Sequence, residues 1–227
     1  MPSSTGSVPS GRWSDILDRL AAAYGPRSHA SHPPLDELVM TVLSQNTSDI
    51  NSGRAYRALR ARYRGWRDVL EADPAELVDA IRAGGLANQK GPRIQAILRE
   101  LDGSRHGLDL GWLADLPTQR ALDELTSLPG VGAKTASCVL LFSLGMPVMP
   151  VDTHVHRVAQ RLGVIGPSVT ADQAHPLLTA ATPAGRMLDA HLLLIEHGRS
   201  TCRAQRPLCG ECVLLDLCPY GQRSCQA

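Results

Sequence analysis

Lysine is nearly missing from this sequence of 227 residues: of 23 basic residues only Lys90 and Lys134 are lysine, and the other 21 are arginine. Arginine serves wherever a simple cation suffices, but a guanidinium cannot give up its proton and attack carbon. The two lysines are therefore candidates for work that arginine cannot do. Phenylalanine occurs once and aromatic residues make up 4% of the chain, so the core is built from Leu, Val, Ile and Ala. No run of alternating β-branched residues marks a strand, and there is no internal repeat. The most apolar stretch, residues 138–151, is broken by Gly145 and Pro147 and is too short to span a bilayer, so no membrane partner is expected. Neither sign of charge dominates. The net charge of +1 does not mark a nucleic-acid binder, although a balanced total can hide a basic face. Residues 1–12 are rich in Ser, Gly and Pro and lack an apolar stretch, which reads as a disordered start and not a signal peptide. The expected setting is cytoplasmic and nucleoid-associated.

What is present is helical periodicity. Ile16, Leu17 and Leu20 share one face of a helix over 13–24, and Pro33-Pro34 opens another over 35–43. Helices follow over 51–63, 74–83 (capped by Asp73), 90–101, 117–127, 133–144 and 153–162. A poorer segment is interrupted by Pro176, and a last helix runs over 185–197. The fold class is all-α.

Leu128-Pro129-Gly130-Val131-Gly132 joins two of these helices. Gly130 and Gly132 take backbone angles closed to other residues, and the amides from Val131 to Lys134 at the start of the next helix suit an anion such as a DNA phosphate. The alternative is a plain turn packing two helices. Lys134 lies in the first turn after the hairpin, where the helix N-terminus is already positive and favours the neutral amine that a nucleophile needs. Its simpler role is a phosphate contact. Asp152, ahead of Thr153-His154-Val155-His156-Arg157, suits an N-cap, a role compatible with a fixed catalytic carboxylate. Cys202, Cys209, Cys212 and Cys218 form a C-x6-C-x2-C-x5-C array that argues for a metal and not disulfides. One close pair flanked by two single ligands suits a 4Fe–4S cube, with zinc as the alternative. Arg203 and Arg206, in the loop between the first two cysteines, are candidate phosphate contacts. Cys138 reads as a buried small hydrophobe, and Cys225 as part of a loose tail.

Leu-Pro-Gly-Val-Gly-Ala-Lys-Thr-Ala at 128–136, followed by Val-Asp-Thr-His-Val at 151–155, resembles the helix-hairpin-helix glycosylases of the endonuclease III family, as does the spacing of the cysteines. The resemblance implies a six-helix barrel module over 33–148 and an iron–sulfur domain formed by 13–32 and 149–220, with 221–227 a loose tail. It implies a bifunctional DNA glycosylase and abasic-site lyase of base excision repair that acts on damaged double-stranded DNA as a monomer. Lys134 would be the nucleophile that forms a Schiff base, with β-elimination following, and Asp152 the assisting carboxylate. The segments 43–49 and 84–90 resemble the family's two DNA wedges, which points to Asn46 with its neighbour Gln45, and to Leu86. Asn46 stands where relatives commonly carry Gln, Ala87 where some carry an aromatic residue, and Thr126 where some carry Glu. Oxidised pyrimidines such as thymine glycol are the expected substrates. The rivals are a glycosylase for thymine or uracil mismatched with guanine, and a non-enzymatic iron–sulfur DNA-binding module.

Overall fold

A computed structural model describes residues 10–226, and among these there is no strand. The α-helices are α1 (Ser10–Tyr24), α2 (Pro34–Ser44), α3 (Asp49–Arg62), α4 (Trp66–Glu71), α5 (Pro74–Ala80), α6 (Ala87–Asp102), α7 (Thr118–Ser127), α8 (Ala133–Leu144), α9 (Thr153–Arg161), α10 (Ala171–Ala181), α11 (Met187–Ser200) and α12 (Pro219–Gln226). The chain divides into two compact units, Ser31–Met146 and the residues on either side of it.

In the unit 31–146, α2 packs against α8, α3 and α6. Its apolar face, Leu35, Leu38, Val39, Val42 and Leu43, is buried, and Pro34 with Asp36 and Glu37 in the first turn explains why the helix starts there. Helix α8 is buried without a break from Thr135 to Leu141, as expected of a helix surrounded by others. Helix α6 buries Ile94, Ile97, Leu98 and Leu101, the stripe its sequence shows. The six-residue α4 escaped the periodicity because Val69 is its one buried residue.

In the other unit, α11 packs against both α1 and α9. Residues 1–9 of the expected disordered start lie outside the described residues, but Ser10–Arg12 are already helical. The physical reason is tertiary: an Arg12 Nη2 donates to the carbonyls of Leu162 and Leu217, both at 2.6 Å, and Trp13, Ile16, Leu17 and Leu20 are buried behind it. Pro176 does not interrupt its segment, because α10 runs through it. A reciprocal cap between Thr170 and Gln173 and the burial of Ala174, His175 and Leu178 hold that helix despite one missing backbone bond. Residues 221–226, expected as a loose tail, are helical too. Gly221 is buried against Leu215 and Cys218, so the end of the chain is packed onto the cysteine region.

Trp13 tests the α1 anchor. Its ring is buried and Nε1 donates to Thr182 Oγ1 at 3.0 Å. Trp13→Ala is expected to lower unfolding free energy by about 3–5 kcal/mol, measured by chemical denaturation. A loss under about 1 kcal/mol, the size of an exposed substitution, would contradict the packing described.

Candidate active site

The hairpin between α7 and α8 is built by a left-handed glycine. Gly130 has φ +73°, and the amide of Val131 donates to the Leu128 carbonyl at 3.1 Å, closing the turn. That amide is therefore not free for an anion, and the Val131 side chain is buried, which corrects the sequence reading at this residue. The free donors lie further on. Helix α8 begins with Gly132 as its N-cap, which has no side chain to satisfy the first turn. The first helical bond is from Ala136 to the Gly132 carbonyl, leaving the amides of Ala133, Lys134 and Thr135 without helical partners. By contrast α3, α5, α9 and α10 are all capped by side chains. Lys134 is half-buried, and among the described residues no hydrogen bond or ion pair holds its ammonium.

Among the described residues three besides glycine have positive φ: Asn46 (52°), Leu86 (51°) and Arg206 (49°), all singled out by sequence. Such a backbone costs on the order of 1–3 kcal/mol and persists only where the surroundings fix it. Asn46 is exposed at the end of α2, and Leu86 is 45% exposed although apolar. Gln45 behaves differently. Its Oε1 accepts from Arg93 Nη1 at 2.8 Å, and its Nε2 donates to Thr135 Oγ1 at 3.3 Å. The amide of Gln45 is thus engaged inside the unit, tying the loop to α8 beside Lys134, and Asn46 is the residue of the pair left facing solvent. Arg93 has no signal in the sequence, because its role depends on contacts 48 residues away.

Asp152 is the N-cap of α9. Its Oδ1 accepts from the Val155 amide at 2.7 Å, and the described residues give Oδ2 no donor. The stretch ahead of it is held by two buried histidines that sequence reasoning missed. His175 Nδ1 donates to the Met149 carbonyl at 2.9 Å, and His191 Nδ1 to that of Pro150 at 3.0 Å. The Met149 amide donates to Thr179 Oγ1 at 2.9 Å. One carboxylate oxygen is thereby fixed and the other left open. His154 packs against Gly198 and accepts from Arg157 Nη2 at 3.1 Å.

Cys202, Cys209, Cys212 and Cys218 line one cavity with Arg161, His197 and Tyr220 among its walls, and all four are free of disulfides. Hydrogen-bond donors point at three of the sulfurs. Arg161 Nη1 lies 3.3 Å from Cys202 Sγ, the Leu214 amide 3.4 Å from Cys212 Sγ, and the Gly221 amide 3.3 Å from Cys218 Sγ. That pattern suits anionic thiolates. Burial pushes the Cys209 and Cys212 thiols up, and the neighbouring cysteines add to it, so a positive metal centre is needed to hold them as thiolates. A cube takes each of four thiolates on its own iron, which suits four cysteines spread around one cavity. The residues fit a 4Fe–4S cluster. His197 was missed by sequence. Burial lowers it to about 4, so it is neutral, with Tyr24 Oη 2.8 Å from Nδ1 and Cys212 Sγ 3.8 Å from Nε2. The tautomer protonated on Nε2 satisfies both contacts. Arg161 also donates to the carbonyls of Arg203 (2.7 Å) and Ala204 (3.1 Å). The loop carrying Arg203 and Arg206 is thus pinned, with both side chains exposed.

Residues 39–183 match the model of the HhH-GPD superfamily base excision DNA repair protein, and residues 202–218 that of the iron–sulfur binding domain of endonuclease III. The chain belongs to the endonuclease III family. It is 37% identical to endonuclease III of Thermotoga maritima, covering 87% of this chain and 88% of that one. Against endonuclease III of Escherichia coli K12 it is 34% identical, covering 92% and 95%. It is 40% identical to a putative DNA glycosylase of Arabidopsis thaliana, where it spans 74% of its own length but 58% of the relative's. A solved non-covalent endonuclease III–DNA complex superimposes with a TM-score of 0.83 at 30% identity, covering 97% of this chain and 100% of that one. The family is one of DNA glycosylases and abasic-site lyases acting in base excision repair, and the cysteine array is its 4Fe–4S site. No helix among the described residues is long and apolar enough to cross a membrane.

Purified protein is expected to contain iron and acid-labile sulfide in equal amounts, about four of each per chain, and Cys212→Ser to lower both. About one zinc per chain with no sulfide would contradict the assignment.

Proposed function

We propose that the protein removes oxidised pyrimidines such as thymine glycol from double-stranded DNA and cuts the resulting abasic site, with Lys134 as nucleophile and Asp152 as its proton acceptor. The observation that carries this is the unpartnered ammonium of Lys134 at the start of an uncapped helix. The damaged nucleotide is flipped out, since its sugar carbon cannot be reached in the stack. The amides of Ala133 to Thr135, with Gly130 and Gly132 leaving room for close approach, receive a backbone phosphate. Arg203 and Arg206 add phosphate contacts from their pinned loop. The exposed Asn46 and Leu86 fill the gap left in the duplex.

The neutral amine of Lys134 forms a bond to C1′, and the bond to the base breaks with its electron pair leaving on the base. Oδ2 of Asp152 takes the proton that the attacking nitrogen must shed, and its charge stabilises the positive sugar that develops. Opening of the sugar ring gives the Schiff base. Loss of a C2′ proton then breaks the bond from C3′ to its oxygen, cutting the strand. The protein works as a monomer in the compartment that holds DNA. The change to Asn46 in the wedge favours testing one rival substrate, thymine or uracil opposite guanine.

Borohydride trapping tests this directly. Wild type is expected to give a covalent adduct with duplexes carrying thymine glycol or an abasic site, and Lys134→Gln none. Asp152→Asn separates the two roles of that residue, because asparagine caps a helix about as well as aspartate but cannot take the proton. It is expected to keep the melting temperature and to lose on the order of 10²- to 10⁴-fold in excision rate. No adduct from folded, brown wild-type protein on either duplex would overturn the lyase assignment. Faster excision from guanine mismatches than from thymine glycol would move the substrate to the rival class.

A further inference from the structure

Lys90, the second of the two lysines, is unused by this chemistry and is only 2% exposed. Its Nζ donates to the Leu43 carbonyl at 2.6 Å and to the Gly84 carbonyl at 2.9 Å. Each of these carbonyls lies just ahead of a left-handed residue: Leu43 three positions before Asn46, and Gly84 two before Leu86. The two loops also lie close together. A Cβ on Gly85 would stand 3.9 Å from Thr47 Oγ1, and one on Gly84 would stand 3.9 Å from the Leu43 carbonyl oxygen and 2.9 Å from Ala55 Cβ.

A buried ammonium is costly, and an apolar side chain of the same length would serve packing better. Burial pushes the amine down from its usual range. What an ammonium supplies is several N–H donors on one atom, so that two carbonyls converge on a single point. Arginine can also bring two carbonyls onto one nitrogen, but its longer, planar head needs more room than this buried site gives the compact ammonium. Arg93, three residues further along α6, fastens the same loop from the other side through Gln45 and Thr135.

We propose that Lys90 is a positioning residue that joins the Asn46 and Leu86 loops into one rigid wedge, holding both left-handed residues at a fixed separation for entry into the duplex. The inference rests on the wedge roles proposed above. Without the two Lys90 bonds, each loop relaxes independently toward ordinary backbone angles, and insertion must first reorder both.

A duplex with 2-aminopurine opposite a tetrahydrofuran abasic analogue reads wedge insertion as a fluorescence change and needs no covalent chemistry, so it does not depend on the role of Lys134. Relative to wild type, Lys90→Met is expected to weaken binding to this duplex roughly tenfold, about the lower end of what one hydrogen bond to a charged group contributes, and to reduce the fluorescence change. Lys90→Gln, which keeps an NH₂ donor, is expected to recover part of both. Borohydride trapping on a single-stranded abasic oligonucleotide, where no opposite strand is wedged, should stay within about twofold of wild type, since no reacting group is altered. A purely structural role would lower both readouts by the same factor, and that result overturns the proposal, as does unchanged insertion by Lys90→Met. If Lys90→Met does not fold, amide hydrogen exchange in Lys90→Gln decides. Faster exchange in residues 45–47 and 84–86 together supports the joined wedge, and faster exchange in one loop or neither overturns it. An absent fluorescence change in wild type would instead count against the wedge reading itself, and the exchange experiment would still decide whether Lys90 joins the loops.

Discussion

A carbon atom added to Gly130 would stand 2.6 Å from Nε of Arg93 and 2.8 Å from its Cδ. The hairpin backbone and the arginine of α6 occupy adjoining space, so a side chain at residue 130 would displace the guanidinium as well as strain the left-handed turn. The left-handed turn at Gly130 sets where α8 begins, and hence where the amine of Lys134 and the free amides of its first turn stand. The guanidinium seated against that turn in turn holds Gln45, and Gln45 reaches Thr135, the neighbour of Lys134. The proposed phosphate site, nucleophile and one wedge loop thus share one close approach, and substitutions along this chain of contacts should couple instead of adding.

The other unit uses the same economy. Asp152 closes a helix start with one oxygen and keeps the second open, so in the proposed reaction stability and proton transfer would fall to different atoms of one carboxylate. Two buried histidines from α10 and α11 hold the backbone that leads to it. The 4Fe–4S site gathers the C-terminal segment around Arg161 and His197, and donors to the sulfurs come from α9, α11 and the backbone of the segment itself. Arg161, beside that site, also pins the loop that carries Arg203 and Arg206, through the carbonyls of Arg203 and Ala204.

The all-helical fold, the hairpin, the Asp152 cap and the iron–sulfur array were legible because each is written in contiguous residues with a characteristic period or spacing. What escaped depends on partners distant in sequence. Nothing local to Arg93, His175 or His191 announces a bond to residues 26 to 48 positions away. Gln45 and Asn46 are adjacent, and sequence alone cannot say which of two neighbours turns inward; the left-handed angle at Asn46 decides it. The amide of Val131 looks available until the turn is seen to use it. The first turn of α1, the continuity of α10 through Pro176, and α12 all show tertiary packing overriding weak local propensity. Lysine scarcity marked both Lys90 and Lys134 and the hairpin motif pointed to Lys134, but what Lys90 holds shows only in its burial and its two carbonyl partners.

In the proposed reaction the amine of Lys134 bonds to the sugar. Few primary amines compete for that role: two lysine side chains and the chain's α-amino group. The most direct measurement is therefore peptide mapping of the borohydride-trapped complex by mass spectrometry, which reads which nitrogen carries the deoxyribose remnant. The remnant is expected on Lys134, and its appearance on Lys90 or on the α-amino group would overturn that assignment.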